Sequence, residues 1–385
     1  MKNFKKVLLI FMLILFPFVS SGCWNYKEID NIAIPAGVAV DKDPITKEYI
    51  LTVEIINIIS QGRSSSISSE IYTSKSKTMF DGIRNLIEIT GLRLFWAHAK
   101  VLIVSEEIAK EGMIPVIDWC LRDSELRIDM WLLIARGSSA GEILKNKVNI
   151  NNITSFHIDD IMKNGGIVYK FPDTNIVRFV SEISEEELSA SVATIKNEKI
   201  GDKINCRVEG SAIFKGDKLV GYLNGNETMQ MLMIKNKVHE GLITLKDIYN
   251  SHTDATLEIF KNETKLKPIY KDGKITMMID LYTTVVIDEL SGDEDFINEN
   301  KRVLLVQDAE EKLKQNLQEL TNKLQIDYDC DALGFEEFLE RNNSKVLKEL
   351  KKSNKDIFAS IQTKINVHMT IKGSAKMMKP TKKTE

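Results

Sequence analysis

The sequence predicts an α+β fold of several domains, each a β-sheet with packed helices. Three observations carry this. Strand-like apolar runs, such as 94–104 and 275–287, recur along the chain between segments with helical spacing. Two tight-turn signals, Lys215-Gly216-Asp217-Lys218 and Lys271-Asp272-Gly273-Lys274, each separate two such runs, the mark of β-hairpins. A chain of 385 residues, 43% hydrophobic and 28% charged, has globular composition. It is long enough for two or three domains of about 100–200 residues.

The chain opens with a leader. Lys2, Lys5 and Lys6 form a positive n-region, and 7–19 is apolar, broken only by Pro17. That run is too short to span a bilayer comfortably, so it reads as a signal h-region. Cys23 follows the small residues Ser20, Ser21 and Gly22, where cleavage should fall. The arrangement resembles a bacterial lipoprotein signal, with Ser20 where such signals usually carry Leu. The expectation is removal of 1–22, leaving Cys23 as the new N-terminus bearing S-diacylglyceryl and N-palmitoyl groups. Each acyl CH₂ buried in lipid contributes about 0.8 kcal/mol, so such a tether is effectively permanent. No later uninterrupted apolar run approaches the length of a membrane span.

Past the leader, 33–40 reads as a strand, 41–44 as a turn and 49–56 as the returning strand. The Ser-rich 60–69 reads as a flexible loop. Met79, Ile83, Leu86 and Ile87 give 78–90 helical spacing. The run 94–104 reads as one strand. Ser105 followed by Glu106 and Glu107 is a helix start, because a side-chain acceptor and acidic charge satisfy free N–H groups there, and Gly112 ends that helix. A helix over 114–121 and a strand over 127–135 follow. The Asn-rich 146–166 reads as a polar connection. Beyond it, 204–214 and 219–223 form the first hairpin, and Asn224 or Asn226 caps a helix whose Met229, Leu232 and Met233 are core packing. Strands are expected at 256–260, 266–270 and 275–287. A helix over 296–324 carries a single apolar stripe through Val306, Ala309, Leu313, Leu317, Leu320 and Leu324, which favours packing on its own sheet over a coiled-coil seam. A helix over 335–350 and a strand over 361–371 close the chain. The expected divisions are the leader 1–22, an N-terminal α/β region 23–200, a middle hairpin–helix region 201–253, a C-terminal α/β domain 254–378 and a Lys-rich tail 379–385.

Little chemistry is written in the sequence. The formal charge of −3 falls to −6 without the leader's three lysines, which gives no footprint for nucleic acid. Cys120, Cys206 and Cys330 are widely spaced, form no CxxC and read as buried small hydrophobes, although one pair could meet in space. The histidines make no metal motif, and 156–160 (Phe-His-Ile-Asp-Asp) reads as a polar turn or helix start. No phosphate-binding glycine loop appears, so no cofactor is expected. Gly137-Ser138-Ser139-Ala140-Gly141 fits the nucleophile-elbow pattern G-x-S-x-G. Ser139 with Glu142 is also a capping box, which accounts for both residues at once. The expectation is a binding or assembly protein without catalytic residues.

Several segments resemble the Ger(x)C family, the C subunits of nutrient germinant receptors in endospore-forming bacteria. They are Gly22-Cys23-Trp24-Asn25-Tyr26-Lys27-Glu28-Ile29, then Gly37-Val38-Ala39-Val40-Asp41-Lys42, then 97–109 with its His98 and Ser105-Glu106-Glu107, then Arg122-Asp123-Ser124-Glu125-Leu126-Arg127, and 210–223. The resemblance implies three mixed α/β domains and a non-enzymatic lipoprotein on the outer face of the spore inner membrane. It also implies two polytopic partners, an A subunit and a transporter-like B subunit, in a complex that senses amino acids or sugars. The alternative is a solute-binding lipoprotein feeding a transporter, which would have two similar lobes around a cleft. The expected partner contact is the first hairpin, at Lys215, Gly216, Asp217, Lys218, Gly221 and Tyr222, because exposed turn residues of specific identity often bind something.

Overall fold

In the computed structural model, the structure describes residues 4, 6, 32–61, 64–146, 152–185, 189–292, 294–353 and 357–374. Their strands form two sheets. The first contains β1 (Ile32–Lys42), β2 (Tyr49–Gln61), β3 (Ser64–Ser76), β4 (Arg93–Leu94), β5 (Val101–Ser105), β6 (Trp131–Ala135), β7 (Ser191–Ile200), β8 (Lys203–Lys215) and β9 (Lys218–Leu223). Its order is β3-β2-β1-β5-β6-β7-β8-β9, with the short β4 beside β1. The centre, β1-β5-β6-β7, is parallel, and antiparallel hairpins flank it on both sides. Parallel strands need both faces covered, and the five residues of β5 are all buried.

Helices supply that cover. On one face, α1 (Met79–Thr90), α2 (Glu106–Glu111), α3 (Ile114–Arg122) and α7 (Ile176–Ser184) pack against Val38, Val40, Leu102, Val104 and Leu132. On the other, α4 (Ala140–Lys145) and α5 (Thr154–Lys163), followed by the single turn α6 (Gly165–Val168), pack against Val101, Ile103, Leu133 and Ala193. The expected cap at Ser105 forms, accepting the Ile108 N–H, and Gly112 ends that helix; Thr78 and Gly91 play the same parts for α1.

In this part of the chain four expectations change. The segment 60–69 is not a loop, since β2 and β3 stay in register from Tyr49↔Ser76 to Gln61↔Ser64. Backbone pairing holds it, and the Ser69 hydroxyl donates to Glu54 (2.7 Å). The run 94–104 is not one strand. Between its two parallel contacts with β1, at Ala33↔Leu94 and Gly37↔Val101, the second chain has more residues than β1. The excess forms a 3₁₀ turn at Trp96–His98, which buries Trp96 edge-on against Trp119. The 127–135 strand is shorter, starting at Trp131. The polar 146–166 contains α5. Its N-cap residue, Ile153, makes no side-chain cap bond. Instead the buried Glu54 carboxylate of β2 accepts from the backbone N–H groups of Thr154 (2.9 Å) and Ser155 (2.7 Å) and from the Ser155 hydroxyl (2.6 Å).

The second sheet has the order β10 (Leu242–Leu245), β11 (Asp254–Lys271), β12 (Lys274–Ser291) and β13 (Gln362–Ser374). The strands expected at 256–260 and 266–270 are one strand, β11. Its polar middle is satisfied by the end of α8 (Gly225–Ile234): the Thr264 hydroxyl donates to Met233 O (2.7 Å) and the Thr264 N–H to Asn236 Oδ1 (3.0 Å). Asn224 caps α8 in a full capping box with Glu227, and Met229, Met231 and Met233 are buried. The long helix α9 (Glu299–Asn322) buries Leu305, Ala309, Leu313, Leu317 and Leu320 in the core of this sheet. Each buried leucine contributes about 1.5–3 kcal/mol. Glu310 accepts the Met369 N–H (2.7 Å) and Gln318 donates to Thr363 (3.1 Å), so α9 is tied directly to β13. After α10 (Phe335–Ser353) and α11 (Ile357–Ser360), β13 returns parallel to β12.

Candidate functional site

Cys23 and its leader, residues 4 and 6 apart, lie outside the described residues, as does the Lys-rich tail 379–385. The hairpin expected to meet a partner is described in full. Alternation along β8 and β9 sends its residues to two cores: Ala212, Phe214 and Leu219 enter the core of the first sheet, while Ile213 and Leu223 enter that of the second. The hairpin therefore joins the two halves of the molecule.

Its named residues divide by what they touch. Gly216 makes the turn, at φ +59°, and Lys218 is exposed beside it. Asp217 faces inward: its carbonyl accepts the Met113 N–H (2.9 Å) and its carboxylate the Ile114 N–H (3.2 Å), which fixes the start of α3. Lys215 pairs with Asp329 (2.5 Å). The ring of Tyr328 lies directly on Gly221, where a Cβ would stand 2.2 Å from its Cζ. The Tyr328 hydroxyl donates to Tyr222 O (2.8 Å) and accepts from Tyr222 N–H (3.1 Å). Strand β9 is the edge of its sheet, so this hydroxyl satisfies backbone groups that would otherwise be open for pairing. The Tyr222 ring carries the Arg136 guanidinium 4.4 Å from its centroid, and burial, then Glu106, raises the phenol above its ordinary pKa.

The segment that receives the hairpin was not legible in sequence. Residues 327–331 (Asp-Tyr-Asp-Cys-Asp) have no strand or helix period. They follow a π-helical turn, Lys323–Asp327, and include Asp329 at φ +45°. Cys330 donates its thiol to Phe214 O (3.2 Å). The only available signal was the cluster of small and acidic residues between two helical stretches.

The G-x-S-x-G motif resolves as a helix start. The Ser139 hydroxyl accepts the Glu142 N–H (3.2 Å). A nucleophile elbow needs the N–H after its serine free for an oxyanion. Here the Ala140 N–H donates to Asp41 Oδ1 and the Gly141 N–H to Asp41 Oδ2, both at 2.7 Å. A carboxylate already occupies the position an oxyanion would take. His157 sits on α5, where Asp159 accepts from Trp131 Nε1 (2.8 Å) and Lys163 (2.7 Å). Among the described residues no group of His, Cys, Asp and Glu is arranged to hold a metal ion. Cys120, Cys206 and Cys330 are buried and unpaired, and burial pushes their thiols up to about 12, 11 and 11.

Two family models match in chain order. Residues 25–197 match the spore germination protein N-terminal domain, and 209–375 match the spore germination B3/GerAC-like C-terminal model. The chain belongs to the Ger(x)C family. Among the relatives of this family member, spore germination protein B3 of Bacillus subtilis (strain 168) is 24% identical over 380 residues, covering 96% of this chain and 98% of that protein. Spore germination protein KC of the same organism is 22% identical over 74% of this chain and 75% of its own length. A solved structure described as the crystal structure of the GerBC protein shares the fold, with a TM-score of 0.59 at 21% identity, covering 88% of this chain and 97% of that one.

Proposed function

We propose that this protein is the lipid-anchored, non-enzymatic C subunit of a nutrient germinant receptor, held at the outer face of the spore inner membrane through Cys23. It assembles there with two polytopic subunits, A and B, and takes part in triggering germination. The carrying observation is the ordered match of both family models over almost the whole chain past the leader. The use of Ser139 as a helix cap, with the neighbouring N–H groups held by Asp41, supports a role without hydrolysis. The two sheets differ in size and topology, which favours this role over a solute-binding protein built from two similar lobes. The partner contact is proposed at the 215–222 hairpin, on its solvent side at Gly216, Lys218 and the exposed Val220.

The test is purification of the tagged protein from spore membranes in mild detergent, with mass spectrometry of what accompanies it. Two multi-spanning proteins are expected. A permease with its ATPase would instead make this a transporter component. Cys23→Ala should release the protein from membranes and impair nutrient germination, and full germination with a soluble form would refute the anchoring.

A further inference from the structure

A cavity of about 660 Å³ lies where α5, α6 and the start of α7 meet α8 and the loop that follows it. It falls in the usual range for small-molecule sites, about 300–1,000 Å³. Its apolar lining includes Trp131, Met162, Phe171 and Leu232. The last three are buried, and the Trp131 indole is fixed by its bond to Asp159.

The charged lining holds three cations, Lys163, Arg178 and Lys237, beside one carboxylate, Asp173, and the three cations are not equivalent. Lys163 is paired with Asp159 (2.7 Å). Arg178 is paired with Asp173 and with Glu182 (3.4 Å). Lys237 has no ion pair or side-chain hydrogen bond among the described residues. It is half-buried on the loop after α8, and burial, with Lys235 and Arg178 nearby, draws its pKa down to about 8, while Glu182 and Asp173 act in the opposite sense. Holding a cation partly out of water without a direct ion pair is costly, and an anion entering the cavity would offset that cost.

We propose that this cavity binds a small organic anion, its carboxylate paired with Lys237 and its apolar body against Trp131, Met162, Phe171 and Leu232. Because Trp131, Met162 and Phe171 belong to the first half of the molecule and Leu232 and Lys237 to α8 and its following loop, the bound molecule would bridge the two halves. The proposal stands apart from the receptor reading, since it concerns binding by this chain alone.

The experiment is calorimetry on the full-length chain in mild detergent with hexanoate and phenylacetate, each compared with its uncharged amide at up to about 10 mM. At least one acid should bind at a single site, at least about tenfold more tightly than its amide. Lys237→Met should weaken the acid by a similar factor while thermal unfolding shows an intact fold. Gly166→Met is an independent variant, because a Cβ there would meet only the Tyr169 hydroxyl, at 3.9 Å, and the side chain would fill the cavity without removing a charge. This variant should abolish binding. Failure of both acids to bind, equal binding of acid and amide, or unchanged affinity in either variant would overturn the proposal.

Discussion

Replacing Gly221 by alanine should break the link between the two halves of the molecule. The added Cβ would lie 2.2 Å from Tyr328 Cζ and 2.3 Å from Cε1, against ordinary contacts of 3.4 Å or more, so the ring must move by over an ångström. Overpacking of this kind costs about 1–3 kcal/mol. Displacing the ring also removes both bonds between its hydroxyl and the Tyr222 backbone, about 1 kcal/mol each. The opposing gain, from replacing glycine in a strand by alanine, is only about 0.5–1 kcal/mol. The net loss should therefore be about 2–4 kcal/mol. Urea denaturation of the full-length chain, followed by circular dichroism, measures it. Tyr328→Phe should cost about 1–3 kcal/mol alone, because it leaves the edge N–H and C=O of Tyr222 unsatisfied. In the Gly221→Ala background it should add little, since those bonds are already gone, giving a coupling of about 1–3 kcal/mol. A Gly221→Ala loss below about 0.5 kcal/mol, or strict additivity of the pair, would refute the reasoning.

Three further outcomes are expected. Glu54→Gln should destabilise the first sheet by about 2–4 kcal/mol in the same assay, because either orientation of the amide sets an NH₂ against the backbone N–H of Thr154 or Ser155. The buried Asp331, which caps the start of α10 through Gly334 N–H (2.8 Å) and Glu336 N–H (2.7 Å), has its pKa raised by burial to about 6. Between the unfolded value near 4 and that folded value the native state binds more protons, so stability should fall as pH rises through this window. The loss is about 3 kcal/mol at most, and it should be absent from the pH profile of Asp331→Asn. Cys120, Cys206 and Cys330 should resist iodoacetamide at pH 8 in the folded protein and react on denaturation, as read by mass spectrometry, because their raised thiol pKa values leave almost no thiolate.

The sequence by itself determined the elements whose causes are local. Thr78, Ser105, Ser139 and Asn224 cap the helices they precede, and the turns Lys215–Lys218 and Lys271–Lys274 set their hairpins. The apolar stripe of α9 faces its own sheet because a helical period shows which side must leave water. Tertiary structure decided what depends on partners distant in the chain. Helix α5 starts where it does because Glu54, some hundred residues earlier, supplies the acceptors that Ile153 cannot. Segment 60–69 is strand because its neighbour is strand, not because serine favours one. The 3₁₀ turn after β4 exists because β5 must rejoin β1 across a shorter path. Gly221 and Tyr222 are distinctive in the sequence, yet their reason, the ring of Tyr328, lies more than a hundred residues downstream in a segment with no period of its own. Local periodicity and capping depend on nearest neighbours along the chain, whereas caps, edges and cavities built from remote residues come into being only when the sheets close.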